Sequence, residues 1–449
     1  MIPPILGDGP LTAEVAAAGT TLTGAEVLAR AHGAARRLEG VTRVAVDEPD
    51  PVHRLCWLLG ADLAGAATLI VDPEWSRTEA VLAEARPAAT VSGAPPEADP
   101  VEPRGDDRTP FYLPTTSGSG GAPKVLARTR RSWLLSFTAL EVELRRDDSV
   151  LIPGPLSSSL FLFGALHALH QDRAVRLLPK WSATAAAELC RDATVVHLVP
   201  AMLAALVSVW ERRPELRAAC RLRLVVCGGA GVDGDLEQRL RRLLPGCELL
   251  EYYGSAEHSL IASRRGEPRL RPLVDVDVRD MARNSLPAEN VGVLWVRSEL
   301  AFDGYLRDGV LDAAEQGWSS VGDRAVRHED GTLSVLGRTG STISTGGSLV
   351  VAEEVESALR SSAGVRDVVV AATPHRRLGA LVTAVLEVDR RACLTRAELR
   401  AGTRHLEPAK RPRRWLTMPA LPRTGSGKPA RAEIAEGLRD GTLDAEELA

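Results

Sequence analysis

Between residues 41 and 255 the chain alternates short apolar runs with longer segments in which apolar residues recur every three or four positions. The short runs are typical of buried strands, and the longer segments are typical of helices packed on one face. The strand-like runs are VTRVAV, AATLIVDP, SVLIPGP, TVVHLVPAML, LRLVVCGGA and CELLEYYG, and PVHRLCWLLGADLAG is a helix-like segment between the first two. This alternation predicts an α/β fold with doubly wound, mainly parallel sheets.

The pattern changes twice towards the C-terminus. From 273 to 336 helical spacing disappears and short strands remain (PLVDVDVR, VGVLWVRS, TLSVLG), which predicts a small β subdomain. Beyond Gly337 we expect a helix at 352–360, strands at 365–372 and 380–388, and a helix near 395–405. About 110 residues are enough for a separate core. The predicted domains are therefore 1–337 and 338–449, the second a small α+β domain.

Composition adds limits on the class of protein. The 449 residues are 45% apolar with a net charge of -4, which is ordinary for a soluble protein. No apolar run approaches ~18 residues and the N-terminus does not resemble a signal peptide, so we expect a cytoplasmic protein without a membrane span. The six cysteines show no CxxC spacing, and His167 and His170 have no third ligand nearby. We therefore expect reduced thiols and structural histidines, and no metal site of this kind.

Lysine is rare in this chain. Of 55 lysines and arginines only four are lysines, and two of these, Lys124 and Lys428, lie in glycine-rich segments. Arginine has a wide planar guanidinium group, whereas the lysine ammonium group is a compact point charge. At a site where the cation must reach a single phosphate or carboxylate oxygen, arginine therefore cannot replace lysine. Lys124 and Lys428 are therefore functional candidates.

The first of these segments is LPTTSGSGGAPKVLARTR, residues 113–130. Its glycines can expose backbone N–H groups and its hydroxyls add donors, so it can surround an anion such as phosphate. We expect a strand at 109–113 before it and a helix at 131–145 after it, the usual setting of a ligand loop in an α/β sheet. A Walker loop does not fit, because Pro123 and Val125 stand where glycine and a metal-binding hydroxyl are needed. A Gly/Ser linker is the remaining alternative.

Three more stretches carry candidate chemistry. EYYGSAEHS (251–259) joins two tyrosines, a predicted glycine turn at Gly254 and the carboxylate of Glu257, which suits a base and an Mg²⁺ ion. In 317–340, Asp323 is expected on a turn after Gly322, with Arg338 just beyond a strand. LPRTGSGKPAR (421–431) holds Lys428.

In this order and spacing the four stretches resemble the adenylate-forming superfamily of acyl- and aryl-CoA synthetases, peptide-synthetase adenylation domains and luciferases. The resemblance covers nearly the whole chain. It implies ATP-dependent activation of a carboxylic acid to an acyl-AMP with release of pyrophosphate, then transfer to the phosphopantetheine thiol of CoA or a separate carrier protein. It also implies that Mg²⁺ takes part and that the C-terminal domain is mobile. We expect no nucleic-acid partner and no membrane span.

The resemblance assigns a role to each candidate residue. Lys428 and Glu257 are catalytic, Glu257 as the Mg²⁺ ligand and Lys428 on the carboxylate and α-phosphate. Gly340 is the hinge, and Gly346 and Gly347 line the thiol tunnel. The residues that bind nucleotide are Thr116, Ser117, Gly118, Ser119, Gly120, Gly121, Lys124, Gly228, Gly229, Ala230, Tyr253, Gly254, Asp323 and Arg338. The acyl-pocket candidates are Ser158, Leu160, Phe161 and Phe163.

Some positions depart from the family pattern. Ala256 replaces the usual threonine before the glutamate, Gly340 replaces the usual hinge aspartate or lysine, and Ser158 stands where many acyl-CoA synthetases have histidine. GPLSSSLFLFG lacks the aspartate that amino-acid-activating domains use for the substrate ammonium. A plain carboxylic acid is favoured, because a buried unpaired ammonium is costly.

Three alternatives remain open from the sequence. The first is a stand-alone amino-acid adenylation enzyme, and the second is a catalytically silent relative that binds nucleotide or acyl-AMP. The third is a P-loop NTPase, suggested by TGSGK at 424–428 but opposed by Pro422 and Pro429. The stretch 404–431 also has eight basic residues against the single acid Glu407, which predicts either an attraction for a polyanionic acceptor or a solvated basic face.

Overall fold

The computed structural model describes residues 1–73, 75, 78–117, 123–338, 342–345, 348–375, 378–388, 394–424 and 427–448. The helices among these residues are α1 (Gly24–Arg37), α2 (Pro51–Ala64), α3 (Thr78–Ala85), α4 (Arg130–Ala139), α5 (Ser159–His170), α6 (Ala183–Leu189), α7 (Pro200–Arg212), α8 (Pro214–Ala219), α9 (Gly234–Leu243), α10 (Ala352–Arg360), α11 (Arg396–Gly402) and α12 (Arg431–Asp440).

The strands begin at the N-terminus with β1 (Val15–Ala17), β2 (Thr20–Leu22), β3 (Arg43–Val46), β4 (Ala67–Ile70), β5 (Ala89–Val91), β6 (Pro110–Tyr112), β7 (Thr115–Ser117), β8 (Pro123–Thr129), β9 (Ser149–Ile152), β10 (Ala174–Leu177), β11 (Val195–Leu198), β12 (Leu224–Gly228), β13 (Glu248–Ser255) and β14 (Ser259–Arg265). They continue with β15 (Arg271–Pro272), β16 (Asp275–Arg279), β17 (Val291–Arg297), β18 (Gly304–Arg307), β19 (Val310–Ala313), β20 (Ser319–Arg327), β21 (Leu333–Arg338), β22 (Thr342–Thr345), β23 (Ser348–Val351), β24 (Val365–His375), β25 (Gly379–Val388), β26 (Arg414–Met418) and β27 (Glu446–Glu447).

The chain forms two compact units. The first unit comprises Met1–Asp275 and Arg297–Gly317, and the second comprises Val276–Val296 and Trp318–Ala449. The predicted division into 1–337 and 338–449 is a statement about functional domains, and it stays a prediction.

The first unit is built on two sheets. One has nine strands in the order β15-β14-β13-β12-β11-β9-β10-β1-β2, parallel from β13 to β1. The other has the order β19-β18-β8-β6-β4-β3-β5, with parallel pairing from β6 to β5 and β7 paired to β8 at the side. Strands such as β11 are buried along their whole length, as expected for parallel strands covered on both faces. The predicted α/β class is confirmed.

Helix α2 shows how local sequence fixes an element of this unit. The carboxylate of Asp50 accepts the backbone N–H groups of Val52 and His53, Pro51 occupies the first turn, and Gly65 ends the helix in the left-handed conformation. These are strong start and stop signals. The helix between them is almost entirely buried, which is why its apolar residues are not confined to one face.

The second unit is mainly antiparallel. Strands β16, β17, β20 and β21 form one sheet in that order, β22 pairs with β23, and β24, β25, β26 and β27 form another sheet. The predicted helix at 352–360 is α10, the predicted strands are contained in β24 and β25, and α11 lies within the second predicted helix. Trp415 and the inner faces of α10 and β24 are part of the core of this unit.

Helix α4 differs from its prediction at both ends. It begins at Arg130 and ends at Ala139, whereas the apolar spacing predicted 131–145. Thr129 caps the start by accepting the Ser132 N–H, and Glu141, just after the end, has φ of 54°. A left-handed residue stops the helix although the apolar spacing continues beyond it. Within the described part of the chain, no helix has both the length and the apolar character needed to cross a bilayer.

Candidate active site

The glycine-rich segment joins the two strands of a hairpin. β7 and β8 are antiparallel, with Thr116 opposite Lys124 and Ser117 opposite Pro123. The prediction of a direct strand–loop–helix arrangement is therefore wrong, because β8 lies between the loop and α4. Gly118, Ser119, Gly120 and Gly121 lie outside the described residues, as does the Ser117 side chain. Thr116 is half-buried and Lys124 is exposed at the two edges of this loop.

Glu257 lies in the turn between β13 and β14. The predicted turn at Gly254 is wrong, since Gly254 is part of β13 and the chain reverses over residues 256–258. Gly254 is needed there for close approach, because a Cβ atom would lie 2.0 Å from the Ser259 carbonyl oxygen. The Ser255 hydroxyl closes the turn by accepting the His258 backbone N–H at 3.1 Å.

The Glu257 carboxylate is held by residues from 302–305. The Phe302 N–H donates to the Glu257 carbonyl oxygen at 2.7 Å, and the Tyr305 hydroxyl donates to Glu257 Oε1 at 3.1 Å. On the same tyrosine, Lys124 Nζ lies 4.9 Å from the ring centroid. The carboxylate and the hairpin lysine, predicted separately from sequence, thus contact the same tyrosine, the carboxylate at its hydroxyl and the lysine over its ring.

Arg128 supports the same turn, and sequence reasoning missed it. Its guanidinium donates to the carbonyl oxygens of Ala256 at 3.0 Å and Leu300 at 2.7 Å, and to the Ser132 hydroxyl at 3.2 Å. Burial lowers the pKa of Arg128 to about 10, an effect opposed by the nearby carboxylates of Asp303 and Glu257. It remains charged at neutral pH. In a chain so rich in arginine, no local signal distinguishes this one.

The predicted adenine-side residues lie at the carboxyl ends of β12 and β13. Gly228 is buried, while Gly229, with φ of 86°, and Ala230 are exposed. Gly228 pairs with Tyr252, and a Cβ on Gly228 would lie 2.4 Å from the Tyr252 ring. The Tyr252 ring therefore covers Gly228. Its neighbour Tyr253 is half-buried and, because side chains alternate along a strand, points to the opposite face.

The acyl-pocket candidates lie at the start of α5. Ser158 precedes its first residue, and Ser158 and Leu160 are half-buried. Phe161 and Phe163 are buried in the core of the first unit, where the Phe163 ring stacks on His167 at 6.0 Å. His167 is itself buried. Whether Phe161 and Phe163 also contact an acyl group stays a prediction.

Asp323 and Arg338 are neighbours in the second unit. They face each other in the antiparallel pair of β20 and β21. Asp323 is buried and lies within β20, after Gly322 with φ of 80°, so its predicted position on a turn is corrected. Arg338 is the last residue of β21 and not beyond the strand, and its side chain is outside the description.

Lys428 lies on a closed turn in the second unit. The Thr424 N–H donates to the Lys428 carbonyl oxygen and the Gly427 N–H to the Thr424 carbonyl oxygen, each at 2.7 Å. Gly427 has φ of 79°, a conformation in which glycine is favoured. Arg423 Nη1 donates to the Gly427 carbonyl oxygen at 3.0 Å. The Lys428 side chain is half-buried. Gly340, Gly346 and Gly347 lie outside the described residues.

The basic stretch 404–431 is partly neutralised by acids from elsewhere in the second unit. Lys410 Nζ lies 2.9 Å from Glu354, and Arg423 Nη2 lies 2.9 Å from Glu387 and 3.1 Å from Asp367. Arg431 is bonded to the buried Glu356. The sequence count therefore overstates the positive charge of this surface.

Comparison with known proteins identifies the family of the chain. Residues 79–306 match the model of the AMP-binding enzyme family, and residues 354–428 match the AMP-binding enzyme C-terminal domain. The chain is 30% identical over 437 residues to the uncharacterized acyl-CoA ligase YhfT of Bacillus subtilis, covering 89% of this chain and 88% of that one. It is also 30% identical over 383 residues to the salicyl-AMP ligase / salicyl-S-ArCP synthetase of Mycobacterium tuberculosis, covering 78% and 64%.

A solved structure supports the fold independently. ATP-bound MatB of Rhodopseudomonas palustris aligns with a TM-score of 0.85 over 99% of this chain and 100% of that chain, at 22% identity. At that identity the likeness concerns the fold alone. The family matches and the 30% identical relative show that the chain belongs to the AMP-binding enzymes of the adenylate-forming superfamily, AMP-forming ligases that activate a carboxylic acid with ATP and transfer it to a thiol.

Proposed function

We propose that the protein is an acid–thiol ligase of the acyl-CoA synthetase type, with 1–337 as the adenylation domain and 338–449 as the domain that carries the catalytic lysine. The observation that carries the proposal is the arrangement around Tyr305. It brings Lys124, at the edge of the anion-binding loop, near Glu257, a carboxylate with one oxygen held by a phenol. A cation for phosphate and an oxygen ligand for a metal ion are the two groups that metal-bound ATP needs.

The residues present fit Mg²⁺ as a companion of ATP. Among the described residues no group of three or more His, Cys, Asp or Glu side chains could hold a metal ion by itself. Mg²⁺ does not need such a group, because it is commonly bound through one or two carboxylates together with substrate phosphates and water. Glu257 would supply the carboxylate, and Mg²⁺ would offset negative charge on the phosphates.

The other residues would bind and orient the nucleotide. Thr116 to Gly121 and Lys124 would hold the phosphates, with backbone N–H groups as donors. Gly228 to Ala230, Tyr253 and Gly254 would flank the adenine, and Asp323 would accept the ribose hydroxyls with Arg338 nearby. The supporting observation for Asp323 is its burial beside Arg338 in one strand pair, where an acceptor that bonds hydroxyls would be shielded from water.

The chemistry has two half-reactions. A substrate carboxylate oxygen attacks the α-phosphorus of ATP, pyrophosphate leaves, and an acyl-AMP forms. Lys428 would stabilise the negative charge on the phosphoryl group in that transition state, as electrostatic preorganisation requires. A thiolate then attacks the acyl carbon and AMP leaves. Gly346 and Gly347 would line the path of the thiol, and Gly340 would be the hinge between the half-reactions.

The acid is proposed to be a plain carboxylic acid with an apolar chain or ring. The segment 154–164 contains no carboxylate, which an α-ammonium group would need, and Ser158 and Leu160 remain half-buried at its start. The acceptor is proposed to be CoA or the phosphopantetheine of a carrier protein. The names of the relatives include both kinds, an acyl-CoA ligase and a salicyl-S-ArCP synthetase.

The decisive experiment is exchange of labelled pyrophosphate into ATP with a panel of acids. The proposal predicts exchange only when a suitable acid is added, with aliphatic or aromatic acids better than their α-amino analogues. Exchange best supported by amino acids would favour the amino-acid alternative. Absence of exchange, together with measurable ATP binding, would favour a silent relative. Active acids would then be tested with CoA and with phosphopantetheinylated carrier protein to identify the acceptor.

A further inference from the structure

Tyr305 touches both charged candidates of the first unit but has no role assigned so far. We propose that Tyr305 is a positioning residue that fixes Glu257 and Lys124 relative to each other, so that metal and phosphate are bound as one unit. This inference rests on the proposed function, because it assumes that Glu257 is the metal ligand and that Lys124 contacts phosphate.

Strand register explains the contact with Lys124. β18 is antiparallel to β8, and Tyr305 lies directly opposite Leu126. Lys124 is two residues from Leu126 and therefore on the same face of β8 as the Tyr305 ring. Diagonal neighbours of this kind are within reach of long and aromatic side chains. The ammonium group 4.9 Å from the ring centroid is thus a result of the sheet pairing and not of a chance loop conformation.

Phe302 supports the contact between Tyr305 and Glu257. Phe302 binds the Glu257 backbone, and its ring packs edge-on against the Tyr305 ring at 4.9 Å with an interplanar angle of 71°. This packing restricts the rotation of the Tyr305 ring. The phenol hydroxyl donates a hydrogen bond to Glu257 Oε1 at 3.1 Å. The other carboxylate oxygen, Oε2, would then bind the cation, since Mg²⁺ prefers oxygen ligands.

The two contacts are chemically separable. The hydroxyl group acts on Glu257, and the face of the ring acts on Lys124 through a cation–π interaction. Tyr305→Phe removes the first contact and keeps the second, while Tyr305→Leu removes both. If Tyr305 were only a packing residue, the phenylalanine variant would behave like the wild type in every assay.

The test is ATP binding measured by calorimetry with and without Mg²⁺. For Tyr305→Phe we expect unchanged affinity for ATP in EDTA and an approximately 10-fold smaller gain on adding Mg²⁺, since partners of metal ligands typically change metal affinity by about 10- to 100-fold. For Tyr305→Leu we expect the same loss and, in addition, about 3-fold weaker binding of ATP in EDTA.

A matched control is Tyr112→Phe. The Tyr112 hydroxyl donates a bond of similar length, 3.0 Å, to the carbonyl oxygen of Ser157 and not to a carboxylate. This variant should keep the full Mg²⁺-dependent gain. Thermal melts of all variants identify general loss of structure, and if the leucine variant does not fold, the phenylalanine variant still decides.

The outcomes separate this inference from the proposed function. If wild-type protein binds ATP without any gain from Mg²⁺, the assignment of Glu257 as metal ligand fails and this inference with it, while pyrophosphate exchange still decides the proposed function. If the wild type shows the gain and Tyr305→Phe retains it, Tyr305 has no positioning role while the proposed function stands. Loss of the gain in Tyr305→Phe but not in Tyr112→Phe supports the inference.

Discussion

The turn that carries Glu257 and the turn that carries Lys428 are held in different ways. Around Glu257 the supporting groups come from distant parts of the sequence: Arg128 on β8, and Phe302 and Tyr305 more than forty residues downstream. Around Lys428 the turn is closed by backbone bonds between Thr424 and Lys428, and Arg423, which donates to the Gly427 carbonyl oxygen, is itself paired with Glu387 and Asp367 of the same unit.

This difference fits the roles proposed for the two residues. A metal ligand must keep its orientation, and a network fixed from several elements provides rigidity. A lysine that acts in only one half-reaction must be able to leave, and a turn whose bonds described above lie within the second unit can move together with that unit. The comparison therefore predicts that substitutions around Glu257 affect stability and metal use, whereas substitution of Lys428 affects one chemical step.

The largest effect is expected at Lys428. Lys428→Ala should reduce acyl-AMP formation by roughly 10²- to 10³-fold, the usual loss for one stabilising donor, while thioester formation from preformed acyl-AMP stays near wild type. Both half-reactions are measured separately with the acid found by pyrophosphate exchange. Lys180→Ala, at an exposed position in neither turn, is the control. Equal loss in both half-reactions would contradict the proposal that Lys428 acts only in acyl-AMP formation.

A substantial loss of stability is expected from Arg128→Met. It leaves the carbonyl oxygens of Ala256 and Leu300 without their charged donor, and buried unsatisfied groups cost about 1 to 3 kcal/mol each. We expect the free energy of unfolding, measured by denaturant titration, to fall by roughly 2 to 4 kcal/mol. Arg131→Met is the control, because its pairs with Asp107 and Glu299 are solvent-exposed and worth at most about 1 kcal/mol. Similar losses in both variants would contradict the special role of Arg128.

Asp323→Ala tests whether a residue of the second unit contributes to ATP binding without contributing to metal use. If the carboxylate accepts the ribose hydroxyls, its removal should weaken ATP binding by about 1 to 3 kcal/mol, without changing the benefit of Mg²⁺. Calorimetry with and without Mg²⁺ measures both quantities. Asp330→Ala, which removes a turn aspartate bonded to Thr332, should leave ATP binding unchanged. An unaltered dissociation constant for Asp323→Ala would leave this residue with a structural role only.

The smallest effect is expected from two buried histidines in the first unit, His167 and His197. Burial lowers the pKa of His167 to about 3 and that of His197 to about 4, so the unfolded chain binds more protons than the folded one as the pH falls below 6.5. Stability should therefore decrease on acidification, by about 1.4 kcal/mol per histidine at pH 5.5. His197→Leu should reduce this decrease by one such step in denaturant titrations at pH 7 and 5.5. An unchanged pH dependence would show that His197 is not buried in the neutral form.

The sequence predicted those features that depend on local pattern. Buried parallel strands are continuous apolar runs, and the segment PVHRLCWLLGADLAG, predicted as helical, contains α2. Lys428 and Lys124 were proposed as functional residues because lysine is so rare in this chain. The contacts of Arg128 and Tyr305 could not be predicted, because their partners are distant in the sequence. For the same reason β8 was missed and Gly254 was assigned to a turn, when close approach of β14 is what requires glycine.

The central claim is that this protein cleaves ATP between the α- and β-phosphates to make an acyl-adenylate. The most direct measurement uses ATP labelled at the α-phosphate, a suitable acid and no thiol, with the products separated by chromatography. We predict label in acyl-AMP and AMP, with an equal amount of pyrophosphate released, and conversion of the acyl-AMP to thioester and AMP once the acceptor is added. Label in ADP, with release of orthophosphate, would contradict the account.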